Sequence, residues 1–257
     1  MSSSADAVGA LAYDGISASD LARRLGVPRV DLFDSVGSTL DVAHEIAPGA
    51  PSGTLVLADR QTAGRGRQGR RWESPPGAGV WLTLIERPSD ARALDVLSLR
   101  CGLLAARALD SLAGSAIQLK WPNDLYVHGR KLAGILVEAR WRGAAPDWVA
   151  IGFGLNVLTP DLETAIGLAA GTRRGDALAR LVSALRESAR STGHLGAEEL
   201  ARFHERDFAF SRRVTAPAVG VAAGISGAGE LLITQRDGIV SRHRSGSLTF
   251  DDQPRCS

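Results

Sequence analysis

The fold reading rests on one segment: Lys120-Trp121-Pro122-Asn123-Asp124-Leu125-Tyr126-Val127-His128-Gly129-Arg130-Lys131-Leu132-Ala133-Gly134-Ile135-Leu136-Val137-Glu138. It predicts a strand, a proline-bearing turn, a short strand, a tight turn at His128-Gly129 and a longer strand. Strands joined this closely pair antiparallel. Working outward, residues 148–157, 80–85 and 54–58 predict further apolar strands, with a long polar loop over 59–78. Residues 91–113 carry Leu94, Leu97, Leu104 and Leu112 at helical recurrence, and Leu178, Leu181, Val182, Leu185 and Ala189 repeat the pattern. Residues 197–206 predict another helix. Ser17 with Asp20 opens a short helix over 17–25 that Gly26 and Pro28 close, and a second capped helix starts near Ser38. From Arg212 onward the texture changes to short strands separated by Gly227-Ala228-Gly229 and Asp237-Gly238 turns. The expectation is an α+β fold with hairpin-linked strands and segregated helices, without regular βαβ alternation. The boundaries expected are an extension over 1–30, a main domain over 31–206 and a small all-β unit over 207–257.

The whole chain has 257 residues, a net charge of +2, 44% hydrophobic and 5% aromatic residues. This composition excludes disorder, collagen-like repeats and coiled coil, and so small a charge does not demand a nucleic-acid partner. Cys101 and Cys256 cannot build a disulfide framework, and Met1-Ser2-Ser3-Ser4 does not begin a signal peptide. No apolar run approaches the roughly 18 residues of a membrane helix. A soluble cytoplasmic protein is expected. Residues 21–27 have the look of a first helix and turn of a DNA-binding motif, but Pro28 leads into an extended segment rather than a recognition helix.

Of the 30 basic residues only Lys120 and Lys131 are lysine. Lysine is a compact point charge where arginine is a planar fork. Lys131 enters Leu-Ala-Gly-Ile-Leu-Val straight from a turn, which costs desolvation energy unless it meets an anion. Gly134 on that strand lets a ligand approach closely. Asn123 and Asp124 stand at a strand end, a placement that suits metal or ligand contact and equally an Asx-turn.

Gln61-Thr62-Ala63-Gly64-Arg65-Gly66-Arg67-Gln68-Gly69-Arg70-Arg71-Trp72 is the second informative stretch. Its glycines match G-x-G-x-x-G, but that fingerprint needs a helix to start in the glycine run. Arg-Arg-Trp-Glu-Ser followed by Pro75 and Pro76 cannot start one, and no P-loop occurs in the chain. The alternative is a loop whose backbone amides and guanidiniums hold an anion. Four crowded guanidiniums repel one another, so the loop is expected to stay mobile until an anion arrives. Trp72 either stacks on a base or packs.

The two stretches resemble the signatures of bacterial biotin protein ligases, written GRGRxGRxW and KWPND…KLAGIL. Asp34-Ser35-Val36-Gly37-Ser38-Thr39 resembles that family's helix-opening S-T-N motif, and Gly152-Phe153-Gly154-Leu155-Asn156 its G-x-G-x-N strand. The resemblance runs over about residues 31–250. The family's Asn after Ser-Thr is Leu40 here, which removes a polar group near the expected biotin ureido site.

The resemblance implies a mixed-sheet catalytic domain of the class II synthetase-like type with an SH3-like C-terminal barrel. It implies a ligase that forms biotinyl-5′-adenylate from biotin and Mg-ATP, then biotinylates a lysine of a biotin carboxyl carrier protein. Arg65, Arg67 and Lys131 are the implied catalytic residues. Biotin contacts are implied at Ser38, Thr39, Leu40, Gln61, Arg65, Gly66, Arg67, Lys131 and Gly134. ATP contacts are implied at Arg67, Trp72, Lys120, Asn123 and Asn156, with Asp124 toward Mg²⁺. The short N-terminal region implies a monofunctional form without a complete DNA-binding domain, acting as monomer or homodimer, with no membrane partner and no specific DNA binding expected. Two other readings remain: a lipoate or octanoate ligase of the related family, and a biotin-responsive DNA-binding regulator.

Overall fold

A computed structural model describes residues 12–251, so Met1–Ser4 and Cys256 lie outside the described residues. In chain order the elements are β1 (Ala12–Tyr13), β2 (Ile16–Ser17), α1 (Ala18–Leu25), β3 (Val30–Val36), α2 (Thr39–Ile46), β4 (Thr54–Gln61) and β5 (Gly79–Glu86). Next come α3 (Ala91–Ala113), β6 (Gln118–Lys120), β7 (Asp124–Val127), β8 (Arg130–Arg142), β9 (Ala145–Asn156), α4 (Arg174–Arg190) and α5 (Ala197–His204). The C-terminal elements are β10 (Arg213–Ala216), β11 (Gly220–Ile225), β12 (Leu231–Thr234), β13 (Val240–His243) and β14 (Thr249–Phe250).

Helix boundaries follow their caps. Ser17 accepts from the Asp20 amide, Ser38 from the Leu40 amide and Asp90 from the Arg92 amide; Gly26 and Gly114 end α1 and α3 in the left-handed conformation. The 23 residues of α3 coincide with the span its leucine recurrence predicts. After α1 the chain passes through Pro28 into β3.

A seven-stranded sheet with the order β3-β4-β5-β9-β8-β7-β6 forms the centre. Only β3 and β4 run parallel; every other pair is antiparallel, which makes the sheet mixed. Period-two alternation divides its two faces. Leu55, Leu57, Leu82, Leu84, Leu125, Ala133 and Ile135 belong to the large core that also holds buried residues of α3 and α4. Val56, Ile85 and Ala150 face the other way, onto Leu40, Ala43 and Ala47 at α2. This second layer is small and leaves the sheet between β5 and β7 uncovered by helix.

The remaining strands form a five-stranded antiparallel sheet, ordered β13-β12-β11-β10-β14. The link to it also closes the edge of the large sheet, since the Leu119 amide donates to the Arg206 carbonyl and the Phe208 amide to the Leu119 carbonyl. An unpaired edge strand is thereby covered. At this joint Asp207 accepts from the Ala209 amide through Oδ1, while Oδ2 is buried without a hydrogen bond. Burial pushes its carboxyl up to about 6. A group that binds its proton more readily in the folded state favours folding fully below about pH 4, and that contribution is lost as pH rises through about 6. Asp207→Asn is therefore expected to gain on the parent in urea stability at pH 8 by about 1–3 kcal/mol, the gap closing towards pH 4. A gap that does not change with pH would contradict this.

Among the described residues, no helix is long and apolar enough to cross a membrane.

Candidate active site

The exposed strip of sheet between β5 and β7 is the floor of a cleft. Strand register sets the composition of that floor. One row runs Trp81, Gly154, Gly134, Asp124 across β5, β9, β8 and β7, and the next runs Thr83, Gly152, Leu136. Both rows point to the α2 face, and their middle positions are glycines, so the floor is lowest where β9 and β8 meet. Four strand steps from β4 to β7 at about 4.8 Å each span roughly 19 Å. That is room for an extended, two-part ligand.

The β4 end is polar and hydrogen-bonded in one direction. The Thr83 hydroxyl donates to Thr39 Oγ1 at 2.9 Å, and Thr39 donates to Gln61 Oε1 from its hydroxyl at 3.1 Å and its amide at 2.9 Å. The Gln61 amide then donates to Ser74 Oγ at 2.9 Å. Thr39 is left with an acceptor lone pair, and Gln61 with one N–H, for a ligand. Ser38 caps α2 beside them. Leu40, 3% exposed, lines the same end with Leu136 and makes its wall apolar.

At the β7–β8 end a bulge decides the chemistry. Leu125 pairs with Ala133 but Tyr126 pairs with Lys131, so Leu132 is the extra residue. Leu132 and Ala133 both enter the core, and Lys131 is turned onto the same face as Gly134 and Asp124. Its backbone is fixed on both sides: the Lys131 amide donates to the Thr164 carbonyl (2.8 Å) and the Lys131 carbonyl accepts from the Ile166 amide (3.0 Å). The ammonium stands 2.8 Å from Asp124 Oδ1, which is buried and has no further hydrogen-bond partner. It also lies 5.2 Å above the Trp72 ring. The anion that Lys131 needs on entering an apolar strand is thus Asp124.

Trp72 is brought onto the floor by the arginine loop. The Trp72 amide donates to the Gly64 carbonyl, and any Cβ at residue 64 would lie 2.4 Å from the Trp72 carbonyl oxygen. The ring then lies against Gly154, where a Cβ would meet it at 2.5 Å. These two glycines are required by close approach. Trp72 Nε1 is buried with no partner.

The composition predicts a loop kept mobile by repulsion among its guanidiniums; in the structure these groups point to separate partners. Each guanidinium has its own acceptor. Arg65 reaches Asp41 (2.7 Å) and Glu138 (3.7 Å) on the outer side. Arg67 donates to Asn123 Oδ1 (3.3 Å) and the Gly246 carbonyl (3.4 Å), Arg70 to Ser247 and Arg71 to the Thr62 carbonyl. Arg67 faces the β7–β8 end, while the Arg65 guanidinium is engaged by carboxylates at the rim.

Lys120 sits at the far end among Tyr126, Phe208 and Phe250, with its ammonium 5.1, 6.0 and 5.2 Å from the ring centroids. Burial holds it below the ordinary lysine value, against the opposing pull of Asp124. Burial likewise lowers Arg67, again against Asp124 and with help from Arg70. The cleft wall carries six cations (Arg65, Arg67, Arg70, Arg71, Lys120, Lys131) and one carboxylate, Asp124. Cations held in this way gain from an incoming anion.

The cleft therefore collects Ser38, Thr39, Leu40, Gln61, Arg65, Gly66, Arg67, Trp72, Lys120, Asn123, Asp124, Lys131 and Gly134. Asn156 is elsewhere. It is 6% exposed, behind the wall, and donates to the carbonyls of Ile166 (3.2 Å) and Lys131 (3.5 Å). Sequence reasoning missed Thr83, whose signal was a lone hydroxyl in an apolar strand. It also missed Gly246, Ser247 and Leu248, which reach the cleft from the second sheet. Among the described residues no cluster of three or more His, Cys, Asp or Glu is arranged to hold a metal. A single carboxylate suits Mg²⁺ that arrives with phosphates and keeps its own waters.

A profile of the Biotin/lipoate A/B protein ligase family matches residues 33–156. The chain is similar to the bifunctional ligase/repressor BirA of Escherichia coli (strain K12), 33% identical over 215 residues, which are 77% of this chain and 67% of that protein. It is also similar to the biotin–[acetyl-CoA-carboxylase] ligase of Paracoccus denitrificans, 43% identical over 122 residues, 47% of this chain and 51% of that protein. The chain spans 39%, 46% and 51% of the length of three curated matches, the ligase/repressor proteins of Bacillus spizizenii and Bacillus subtilis and the Paracoccus denitrificans ligase. In fold it is similar to the biotin protein ligase from Aquifex aeolicus in complex with biotin and ATP, with a TM-score of 0.71 and 24% identity, covering 86% of this chain and 98% of that one.

Proposed function

The chain belongs to the Biotin/lipoate A/B protein ligase family, on its biotin protein ligase branch, and from that premise we propose that it joins biotin to ATP as biotinyl-5′-adenylate and then biotinylates a lysine of a biotin carboxyl carrier protein. The observation that carries this reading is the order of chemistry along one cleft: a directed polar relay at one end, an apolar wall beside it, and cations gathered around a single carboxylate at the other.

The relay suits a cyclic urea, which offers N–H donors to Thr39 and a carbonyl to Gln61. A fatty acyl tail has neither and would leave both groups unpaired, which disfavours octanoate. Leu40 narrows the polar contacts to Ser38, Thr39 and Gln61. A carboxylate at the other end of such a ligand falls near Lys131. In the first step its oxygen attacks the α-phosphorus, the α–β P–O bond breaks and pyrophosphate leaves. Two anions must meet, and Lys131 and Arg67 are the cations placed to sit between them and take up the growing phosphoryl charge. Lys120 and Asn123 flank the nucleotide end, and Trp72 is the surface beneath it. Asp124 is the carboxylate that would hold Mg²⁺ arriving with ATP, and the metal would supply neutralisation of phosphate charge. Asn156 acts from behind by fixing the Lys131 carbonyl.

In the second step the carrier's lysine amine attacks the acyl carbon, the C–O bond to AMP breaks, and an amide and AMP result. The amine must shed a proton, and Asp124 is the carboxylate in the cleft that can accept it. Arg65 guards the rim through Asp41 and Glu138.

The test is transfer of labelled biotin to an isolated carrier domain and to the same domain with its acceptor lysine changed to arginine. Label on the first alone is expected; label on both, or on neither, would contradict the reading. Arg67→Gly removes a charged donor from the adenylate. Label on bystander proteins is then expected to rise about tenfold or more. If that variant labels only the carrier, Arg67 does not retain the adenylate.

A further inference from the structure

We propose that Ser247, on the connection between β13 and β14, is a positioning residue that acts through Gln68 and Arg70 to hold the arginine loop over the cleft. Its hydroxyl donates to Gln68 Oε1 at 3.0 Å and accepts from Arg70 Nη2 at 3.3 Å. The neighbouring Gly246 carbonyl accepts from Arg67 at 3.4 Å. The other neighbour, Leu248, is 4% exposed and belongs to the large core, so the connection itself is anchored. Three of the four consecutive loop positions 67–70, namely Arg67, Gln68 and Arg70, are thus tied to the connection between β13 and β14.

The loop's backbone points the same way. Gln68 has φ 58° and ψ 34°, the left-handed region, inside the single 3₁₀ turn Arg67–Gly69. A non-glycine residue adopts that conformation at a cost and keeps it when something holds it there. The side chain that pays is the one bonded to Ser247. Arg67 is itself held from two sides, by Asn123 in the turn before β7 and by Gly246 in the connection between β13 and β14. The C-terminal sheet therefore serves as the second jaw of the cleft, and Ser247 sets where the loop's cations stand.

The loop carries its own reporter, because Arg65, Arg67, Arg70 and Arg71 are trypsin sites. In the full chain without ligand, Ser247→Ala is expected to be cut within residues 65–71 about threefold to tenfold faster than the parent, the range for losing one or two modest hydrogen bonds. Ser247→Thr keeps the hydroxyl and is expected to restore the parent rate. Cleavage unchanged in S247A, or equally fast in S247T, overturns the proposal. A second readout rests on the ligase reading: in biotin-dependent pyrophosphate exchange, S247A should raise KM for ATP more than it lowers kcat, and the reverse split also overturns it. Should the parent show no exchange, that reading fails, while the cleavage comparison still decides the role of Ser247.

Discussion

Lys131→Arg is expected to lower biotin-dependent ATP–pyrophosphate exchange by at least ~100-fold while leaving the fold intact. The charge survives the change, so any account in which Lys131 merely neutralises anions predicts a small effect. The geometry predicts a large one. The backbone of residue 131 is pinned by Thr164 and Ile166, so it cannot retreat to accommodate a longer side chain. The ammonium occupies a slot between Asp124 at 2.8 Å and the Trp72 ring at 5.2 Å, and a Cβ at Gly134 would already lie 3.5 Å from it. A planar guanidinium in that slot must displace Trp72 or break from Asp124. It would also present a fork where the reacting oxygens need one point charge. Exchange within about threefold of the parent would remove Lys131 from the reaction centre and turn its retention as lysine into an accident.

Gly154→Ala is expected to cost about 100-fold in kcat/KM for exchange, with little change in thermal stability. The new methyl would lie 2.5 Å from Trp72 Cε2 and Nε1, closer than side chains pack, so the ring must move. Trp72 is tied to Gly64 through its backbone, and moving it shifts the loop that carries Arg67. Gly152→Ala is the comparison that leaves Trp72 untouched and alters the floor at the Thr83 end of the cleft instead. On the same face two residues earlier, its methyl would stand 3.3 Å from the Leu136 carbonyl and 3.6 Å from Leu40, which a small adjustment absorbs. With biotin saturating, the two variants should therefore differ in exchange rate by at least an order of magnitude. Equal losses would mean that the floor is sensitive everywhere and that Trp72 has no special place on it.

Much of this architecture is legible before any coordinates. The leucine recurrence over 91–113 gives α3, and the structure adds the Asp90 and Gly114 caps at its ends. The glycine-arginine loop and the Lys120–Glu138 segment declare the cleft, because each departs from what a helix or strand alone requires. The rest is hidden for physical reasons. The bulge at Leu132 follows from pairing with β7, and period-two reading along β8 alone misplaces every residue before Ala133. β8 runs on to Arg142, past the predicted segment that ends at Glu138, and its extension is hidden because Arg140, Trp141 and Arg142 are exposed and carry no apolar alternation. Arg65 finds its carboxylates on α2 and β8, and Gln68 finds Ser247 from 179 residues away, pairings that no local pattern announces. Asn156 belongs to a motif, yet its amide is spent on the backbone behind the cleft. The motif picks Asn156 out, and only the geometry shows on which side of the cleft wall its side chain lies.

Biotin-dependent ATP–pyrophosphate exchange by the purified chain, with lipoate and octanoate run in parallel, tests the central claim most directly. It reads the first chemical step without needing the carrier protein. Exchange with biotin and none with the other two acids is the predicted result, since only biotin pairs the Thr39–Gln61 end of the cleft. Exchange with lipoate or octanoate at comparable rates, or no exchange with any acid, would contradict it.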